Sequence, residues 1–398
     1  MTGLMSVEDA IARLVQHALD LPVESVPLEH ALGGRLAEPL IAKVSRPPAA
    51  VSAMDGYAVR RTDVSKPGAE LSVIGEAPAG MPYSGRVEPG EAVRIFTGGV
   101  LPDGCDHIVI QEDAVRDGET LTCQNGYEQA EFVREAGRDF SAGDIVLPVG
   151  SVIGAAELAL AAAANHAELP LFRRPRIGLL ANGDELKPPG SALQDGEIIN
   201  SNPIALAAMV TAWGGVPIDL GTASDSEASI RSHIETAESI DVFLPVGGAS
   251  VGDHDHMRRA FASVGFEPVF EKIAVRPGKP TWFSKRGQQL VLGLPGNPAS
   301  AFVCAQLFAR ILIMQADGLN TRPAQLGRAV KENGPREHFM RADVWLSEDG
   351  ALTAMPAEDQ DSSLIRPFLS ARSLIRRRPN APAAATGTPI ELVLIAPL

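Results

Sequence analysis

The residues best suited to chemistry in this sequence form a glycine-rich loop with two carboxylates, VGGASVGDHD at residues 246–255. The loop follows an apolar run, residues 241–245, which is typical of a buried parallel strand. Its glycines leave backbone N–H groups open, and Asp253 and Asp255 supply oxygen ligands. Open N–H groups beside carboxylates suit an anion, such as a phosphate, that is bridged by a divalent cation.

Two further loops of similar composition follow apolar runs in the same half of the chain. NGDE at residues 182–185 places Asp184 just after a predicted strand, where an ordinary turn or helix cap is the alternative reading. LPGNPAS, at residues 294–300, contains Pro295, Asn297 and Pro298 between a predicted strand and a helix start. The open N–H groups at such a helix start suit an anion, whereas a loop shaped only for packing is the alternative.

The turn RPGKP at residues 276–280 carries two cations on a rigid backbone. Arg276 can bind a phosphate through two parallel hydrogen bonds, and Lys279 acts as a point charge. A hairpin turn with solvated basic side chains is the alternative. Residues 200–202 (NSN) either cap a helix or contact a ligand, and capping alone accounts for Asn202.

Polar turns also occur in the first half of the chain. Asp55 precedes a glycine in SAMDGYAVR, and Thr97 precedes two glycines after a predicted strand. Arg134 and Asp139 flank Gly137 in another polar loop. Each of these segments is an ordinary turn on its own.

Composition excludes several classes of protein. The 398 residues carry a net charge of −14, which argues against a general nucleic-acid or anionic-membrane binder. Its three cysteines show no zinc spacing, so we expect a reduced, cytoplasmic protein without a zinc site. Neither a signal peptide nor a run of about 18 apolar residues is found, so no membrane span is expected. The motifs GxSxG, GxxxxGK[ST] and HExxH are missing as well.

The order of predicted elements indicates several domains. A helix is predicted over residues 6–19, short strands with Gly/Pro turns over 44–147, and an Ala/Leu helix over 153–166. From residue 176 strands and helices alternate, which predicts a doubly wound parallel α/β sheet with ligands at the carboxyl ends of its strands. Short strands return from about residue 321 as a small β domain, in which the Arg-rich residues 372–378 are expected to be solvated.

Seven motifs, in one order, resemble the MoeA/gephyrin E-domain family of molybdenum insertases. They are SAMDGYAVR, RIFTGGVLPDGCDHIVIQED, NGDEL, DGEIINSN, VGGASVGDHD, RPGKP and LPGNPAS, which span about residues 52–300. The resemblance implies an N-terminal/linker region (1–45 and 140–172), a β-rich inserted domain (46–139), an α/β molybdopterin-binding domain (173–320) and a C-terminal β-barrel (321–398). It also implies a homodimer whose active cleft lies between subunits.

The activity implied by the resemblance is a step of molybdenum cofactor biosynthesis. Molybdenum from molybdate enters the dithiolene of adenylylated molybdopterin and AMP is released, with Mg²⁺ as the expected cation. A molybdopterin adenylyltransferase and apo-molybdoenzymes are the expected protein partners. The residues carried over as catalytic are Asp55, Asp139, Glu157, Asp184 and Asp255, of which Asp184 and Asp255 would bind the metal. The residues carried over as substrate-binding are Thr97, Arg134, Ser250, Arg276, Lys279, Pro295, Asn297 and Pro298.

Three positions depart from the family pattern. Arg276 stands where many relatives carry Lys, which keeps the charge and changes its geometry. Residues 134–136 lack the Arg run often found there, and residues 360–363 lack the usual Gly. Two alternatives to a molybdenum insertase remain. One is a scaffold protein on the same fold, and the other is a different pterin- or nucleotide-hydrolysing enzyme that shares only the α/β domain. The sequence leaves the choice between molybdate and tungstate open.

Overall fold

The computed structural model describes residues 4–125, 132–247, 256–348 and 350–396. The chain divides into two compact units. The β-rich unit is Val23–Phe172, and the α/β–barrel unit combines Met1–Pro22 with Arg173–Leu398. The predicted division into four regions is finer than these two units and stays a prediction. In the described part of the chain, every helix is too short or too polar to cross a membrane.

The first helix, α1 (Val7–Val15), belongs to the α/β–barrel unit although it precedes the β-rich unit in the chain. Ser6 caps it, because the Ser6 hydroxyl accepts a 3.0 Å hydrogen bond from the Asp9 amide. Its buried face consists of Val7, Ala10 and Leu14. The helix ends four residues earlier than the predicted residue 19.

The β-rich unit consists mainly of short strands, as its alternating apolar runs and Gly/Pro turns predicted. Its strands are β1 (Val23–Pro27), β2 (Leu40–Ile41), β3 (Val51–Ser52), β4 (Gly56–Val59), β5 (Ala69–Ala77), β6 (Glu91–Ile95), β7 (His107–Ile110), β8 (Ala114–Asp117), β9 (Thr120–Cys123), β10 (Val133–Arg134), β11 (Ile145–Leu147) and β12 (Glu168–Phe172). Its helix is α2 (Ala155–Ala163), and its 3₁₀ turns are Leu28–His30, Arg61–Val64 and Gln111–Asp113.

Six of these strands form one sheet in the order β7-β4-β6-β5-β9-β8, in which only β5 and β6 run parallel. Both faces of β4 are buried. Tyr57 and Val59 pack with Leu71 and Leu121 on one face, and Ala58 packs with Ile95 on the other. The remaining strands pair in twos as β1–β12, β3–β10 and β2–β11. The sheet therefore fixes the turns that precede β4 and follow β6, where Asp55 and Thr97 lie.

The α/β–barrel unit contains the remaining elements. Its strands are β13 (Arg176–Asn182), β14 (Leu186–Lys187), β15 (Ile198–Ile199), β16 (Val216–Ala223), β17 (Val242–Val246), β18 (Glu267–Phe270), β19 (Val275–Arg276), β20 (Trp282–Arg286), β21 (Gln289–Gly293), β22 (Thr321–Leu326), β23 (Glu337–Leu346), β24 (Leu352–Pro356), β25 (Ser373–Arg377) and β26 (Pro389–Leu394). Its helices are α1, α3 (Asn202–Ala212), α4 (Glu227–Thr236), α5 (His256–Ser263), α6 (Pro298–Cys304) and α7 (Arg310–Met314), with a π-helical turn at Ala305–Ala309 and a 3₁₀ turn at Arg366–Leu369.

The α/β sheet has the order β16-β13-β17-β21-β20-β18. Its first four strands are parallel, which confirms the predicted α/β class. The other two strands are antiparallel and extend one edge, a feature that the sequence pattern did not indicate. Phe243, Phe261 and Trp282 lie in the buried core, where Phe261 contacts both other rings edge-on at centroid distances of 5.5 and 5.7 Å.

The C-terminal strands close into a five-stranded barrel in the order β23-β24-β22-β26-β25, because β25 also pairs with β23. This closure confirms the predicted β-barrel. The short strand β19 adds to β23 in parallel and joins the barrel to the α/β part of the unit.

The expectation that residues 372–378 are solvated was wrong. The Arg376 side chain is only 7% exposed, and it forms ion pairs with Glu337, Glu8 and Glu391. Arg378 also pairs with Glu8, so two arginines of the barrel bind α1. Arg376 can be buried because carboxylates from three other elements neutralise it, and local composition does not reveal such partners.

Candidate functional site

The strand ends from which three predicted loops begin lie together at one edge of the α/β sheet, with the loop after β17 described only as far as Gly247. The Gly247 amide donates a 3.4 Å hydrogen bond to the Leu294 carbonyl, which joins the loops after β17 and β21. Gly247 has a φ of +98°, and a Cβ atom there would lie 2.6 Å from the Asn182 carbonyl oxygen at the end of β13. Only glycine allows this close approach of neighbouring strand ends.

Asp184 lies just beyond β13, where it is exposed and makes few contacts within the protein. Its carboxylate accepts a long hydrogen bond, 3.4 Å, from the Asp225 amide after β16. The carbonyl of Asp184 accepts a 3.5 Å hydrogen bond from the Lys187 ammonium. Two exposed aspartates, Asp184 and Asp225, therefore stand at the carboxyl ends of adjacent parallel strands. Oxygen ligands in this arrangement suit a hard divalent cation.

Side chains from two distant segments hold the loop that contains Pro295, Asn297 and Pro298. The Asn202 amide group donates to the Gly296 carbonyl at 2.8 Å. On the other side, the Asn297 amide group donates to the Ser362 hydroxyl at 2.9 Å, and the Ala299 amide donates to the Ser362 carbonyl at 3.0 Å. The loop is thus fixed before any ligand arrives.

These contacts correct two interpretations of the sequence. Asn202 is not a cap, because α3 begins at Asn202 itself and its side chain holds Gly296 instead. The start of α6 was expected to offer open N–H groups to an anion. Pro298 has no N–H, and that of Ala299 is already bound to Ser362, so this helix start offers fewer donors than expected.

Arg341 in β23 orders the segment that carries Ser362. The Arg341 side chain is only 2% exposed. Its guanidinium donates to the carbonyls of Leu364, Asp359 and Asp361 at 2.7, 3.1 and 2.9 Å. The Gln360 side chain also accepts from the Arg341 backbone amide at 3.0 Å. A buried guanidinium in the barrel therefore positions the loop that holds Asn297.

The RPGKP turn rests on a floor formed by Cys304 of α6 and Thr281. The Thr281 hydroxyl donates to the Gly278 carbonyl at 2.8 Å and lies 3.2 Å from the Cys304 sulfur. Gly278 has a φ of +113°, and a Cβ atom at this position would collide with Cys304. Burial raises the pKa of the Cys304 thiol to about 12, so this cysteine is a packing group and not a nucleophile.

Arg276 and Lys279 project from this turn as exposed cations. Within the described ranges, no carboxylate forms an ion pair with either side chain. Next to the turn, Arg276 pairs in register with His338 of the barrel. Burial, then the charges of Arg276, Arg336, Arg341 and Arg377, lower the pKa of His338 to about 3. His338 is therefore neutral at pH 7, and its surroundings are strongly positive.

In the β-rich unit, Thr97 fixes the carboxylate of Asp55. One Asp55 oxygen accepts hydrogen bonds from the Thr97 backbone amide at 2.7 Å and from the Thr97 hydroxyl at 2.9 Å. The backbone bond, then the hydroxyl bond, lower the pKa of Asp55, and the charge of Arg94 lowers it further. The structure thus brings these two predicted residues together as an ionised, oriented carboxylate.

The other predicted residues of this unit have different surroundings. Arg134 is exposed at the end of β10. The exposed Asp139 carboxylate lies 3.7 Å from the Arg46 guanidinium. The Glu157 carboxylate accepts a 3.0 Å hydrogen bond from the Gly154 amide and so caps the start of α2. A structural role therefore accounts for Glu157, whereas Arg134 and Asp139 remain open to solvent.

Ser250, Asp253 and Asp255 lie outside the described residues. Over the part of the chain that is described, no cluster of three or more His, Cys, Asp or Glu side chains could hold a metal ion. A metal site built on Asp184 and Asp255 therefore stays a prediction.

Asp225, Arg341 and Ser362 were not predicted as site residues from the sequence. Asp225 follows β16 by two residues, so the rule that ligands bind at the carboxyl ends of strands could have found it. No local signal marks Arg341 or Ser362, because each acts through a partner far away in the chain.

Comparison with known proteins decides the family. Three family descriptions match consecutive parts of the chain: MoeA N-terminal region (domain I and II) at residues 5–165, probable molybdopterin binding domain at 178–315, and MoeA C-terminal region (domain IV) at 323–395. A molybdopterin molybdenumtransferase from Haemophilus influenzae is 31% identical over 97% of this chain and 98% of its own length. The chain belongs to the molybdopterin molybdenumtransferase family.

Further similar proteins support this family assignment. A molybdopterin molybdenumtransferase from Nostoc sp. is 37% identical over 74% of this chain and 70% of its own length. The crystal structure of a molybdopterin biosynthesis MoeA protein from Pyrococcus horikoshii has a TM-score of 0.87 and 27% identity, and the match covers 100% of both chains. The predicted resemblance and the fold class are thereby confirmed, and the chain is a member of a family of transferases in molybdenum cofactor biosynthesis.

Proposed function

We propose that this transferase inserts molybdenum from molybdate into adenylylated molybdopterin and releases AMP in a Mg²⁺-dependent reaction. The observation that carries the proposal is the pair of uncompensated cations, Arg276 and Lys279, on a rigid turn in the same unit as the strand-end carboxylates Asp184 and Asp225. Cations for an anionic substrate and carboxylates for a metal are the two parts that this reaction requires.

Charge complementarity supports the anionic substrate. Molybdate and the phosphates of adenylylated molybdopterin are both negative, whereas the whole chain has a net charge of −14. A local positive field is therefore needed against the overall charge. Arg276 and Lys279 supply it at the surface, and Arg336 and Arg377 near His338 add to it.

The donor set at the strand ends fits Mg²⁺. Magnesium prefers oxygen ligands and commonly binds through one or two carboxylates together with substrate phosphates. Asp184 and Asp225 would hold the cation, and Asp255 would join them. When bound, Mg²⁺ would neutralise phosphate charge at the bond that breaks.

The residues themselves are suited to positioning. AMP leaves when a water oxygen bonds to a phosphorus of the phosphoanhydride and the bridging P–O bond breaks, which gives AMP, the phosphate of molybdopterin and a proton. Such a step depends on orientation and charge neutralisation rather than on a nucleophilic side chain. This agrees with the thiols of Cys105 and Cys304, because burial raises the pKa of each to about 12. The ionised Asp55 carboxylate would orient a hydrogen-bond donor of the substrate.

A homodimer is part of the proposal. In it, the Asp55–Thr97 turn of one protomer would serve the α/β–barrel unit of its partner, as the family resemblance implies. Mixing Asp55→Asn protomers with Asp184→Asn protomers tests this arrangement, because mixed dimers would regain one intact site. Mixtures that stay as inactive as either parent would contradict a shared site.

The decisive experiment measures AMP release from adenylylated molybdopterin with and without molybdate and Mg²⁺. The proposal expects release that needs both, that falls in Asp184→Asn and Lys279→Gln, and that stays unchanged in Asp20→Asn, a matched variant at an exposed position. Saturable binding of the substrate without AMP release would point to a carrier. Release that is equally fast without molybdate would point to a hydrolase and would overturn the proposal.

A further inference from the structure

A cavity of about 460 Å³ lies in the α/β–barrel unit, away from the residues discussed so far. It is formed by α7, the segment after it (residues 316–320), and the barrel strands β22 and β26. Pro298, in the candidate site, begins the continuous helical stretch that ends with α7. Arg310 comes twelve residues later, or about 18 Å along the helix at 1.5 Å per residue.

Arg310 lines this cavity, and most donors of its guanidinium have no hydrogen-bond partner among the residues that the structure describes. Its Nε group contacts the Met314 sulfur at 3.3 Å, and its Nη1 group donates to the Leu394 carbonyl at a long 3.4 Å. No carboxylate pairs with Arg310 anywhere in the described ranges. The side chain is partly buried, and this desolvation lowers the pKa of Arg310. A partly desolvated guanidinium with open donors is a strong anion-binding group.

The other walls of the cavity add a second cation and an apolar surface. The Arg322 guanidinium donates only to the neighbouring Thr321 carbonyl, at 3.2 Å, among the residues that the structure covers. Ile311, Leu319 and Val393 provide the apolar surface. Asp317, which is exposed, lines the cavity as well and disfavours ligands with several negative charges. The cavity therefore combines one anion-binding side with one apolar side.

We propose that this cavity is a second ligand site, which binds a small organic anion with one phosphate or carboxylate group on an apolar body. Arg310 and Arg322 bind the charged group, and the apolar wall covers the body of the ligand. The volume is in the range of small-molecule sites, which usually combine apolar walls with a few polar groups. The proposal is independent of the transfer reaction, since its residues take no part in the candidate site.

Isothermal titration of the full-length protein tests the site with three probes: inorganic phosphate, phenyl phosphate and benzoate. We expect saturable binding of phenyl phosphate or benzoate, tighter than that of inorganic phosphate because only the organic probes use the apolar wall. Comparing phenyl phosphate with benzoate shows which charged group the site prefers. No saturable binding of any probe in the millimolar range would overturn the proposal.

Four variants locate the bound probe. Arg310→Gln should weaken binding about 10- to 100-fold, the usual effect of losing charge-assisted hydrogen bonds. Arg231→Gln, a matched exposed arginine on α4, should leave binding unchanged. Gly318→Trp should weaken binding, because it adds a large side chain at a residue that lines the cavity; a Cβ atom there meets nothing within 4 Å, so the fold should tolerate it, and Arg310 is retained. Lys279→Gln should retain binding, since it alters only the candidate site.

The contrary results are equally specific. Unchanged affinity in Arg310→Gln or in Gly318→Trp would overturn the proposal, as would loss of binding in Lys279→Gln. Arg322→Gln removes an exposed cation and does not disturb the core, so it provides a second test if Arg310→Gln does not fold. Affinity equal to that of the unmodified protein in Arg322→Gln would then count against the site.

Discussion

Asp55 receives two hydrogen bonds from Thr97, at 2.7 and 2.9 Å, whereas Asp184 receives a single long one, 3.4 Å, from the Asp225 amide. Both carboxylates lie in turns next to the end of a strand, so secondary structure does not distinguish them. Asp55 is oriented and ionised before any ligand arrives. Asp184 keeps nearly all its acceptor capacity, which suits a residue whose partner is a ligand.

A third mode of fixation occurs in the loop around Asn297. Side chains from distant segments hold this loop. Asn202 binds the Gly296 carbonyl, Ser362, 65 residues away, binds the Asn297 side chain, and Arg341 orders the Ser362 segment. The candidate residues are thus held in three ways: Asp55 by a nearby residue, Asp184 by almost nothing, and Asn297 by a residue far away in the chain. Each mode predicts a different balance between loss of activity and loss of stability.

The largest effect on activity should come from Asp184 and Asp225, whose carboxylates make few contacts within the protein. Asp184→Asn and Asp225→Asn should each lower AMP release about 10²- to 10³-fold, the usual effect of removing one charge-stabilising group from an active site. Their unfolding midpoints should stay unchanged, because exposed positions with few contacts rarely affect stability. Kinetics and thermal unfolding on the same samples check both statements. A lowered midpoint would mean that Asp184 is as tightly fixed as Asp55.

Arg341→Met should show the reverse pattern, with stability lost first. Three backbone carbonyls lose their buried donor, which should cost about 2–4 kcal/mol of unfolding free energy. Urea unfolding measures this change, and Arg341→Lys should recover only part of it because one ammonium cannot reach all three carbonyls. A loss below about 1 kcal/mol would show that the segment orders itself without the guanidinium.

Ser362→Ala isolates the last link of the long-range fixation. The Asn297 side chain loses its acceptor, while the backbone hydrogen bond from Ala299 to residue 362 remains. The free energy of unfolding should therefore fall by only about 1 kcal/mol. The rate of amide exchange at Ala299 should rise, since the loop is less tightly held. Ser370→Ala is the control, because Ser370 is exposed and its hydroxyl donates a long 3.4 Å hydrogen bond to the Pro367 carbonyl; an equal effect there would show that Ser362 does not specifically hold the loop.

The smallest effect concerns the pKa of Asp55. In the folded protein this pKa is lowered from 3.8 by Thr97, so the interaction stabilises the fold above pH 3.8 and is lost as pH falls through the lowered value. Thr97→Val removes the hydroxyl bond and keeps the backbone bond, so the pKa should rise part of the way back. Carboxyl NMR titration of both proteins measures it, with Thr62→Val as a control. An unchanged pKa would mean that the backbone amide alone fixes Asp55.

The sequence pattern predicted those parts of the site that depend on neighbouring residues in the chain. Gly247 and Gly278 could be recognised in the sequence because a close approach or a turn there leaves no other residue type. Asp225 could have been found by the same reasoning. Arg341 and Ser362 could not, because their partners lie in other elements. The burial of Arg376 was mispredicted for this reason: three glutamates from separate elements decide it, and none of them lies in its segment.

The pairing of α1 with the barrel has a consequence for synthesis of the chain. Glu8 binds Arg378, which is 370 residues later. At 5–20 residues per second, the ribosome needs roughly 20–70 s to reach that arginine. During this time Glu8 has no arginine to pair with, and α1 also lacks α7, the helix that it contacts, until about 300 residues after α1 have been made. The apolar residues of α1, which are buried in the folded protein, therefore lack these partners for most of translation, and we expect chaperones that bind apolar segments to cover them.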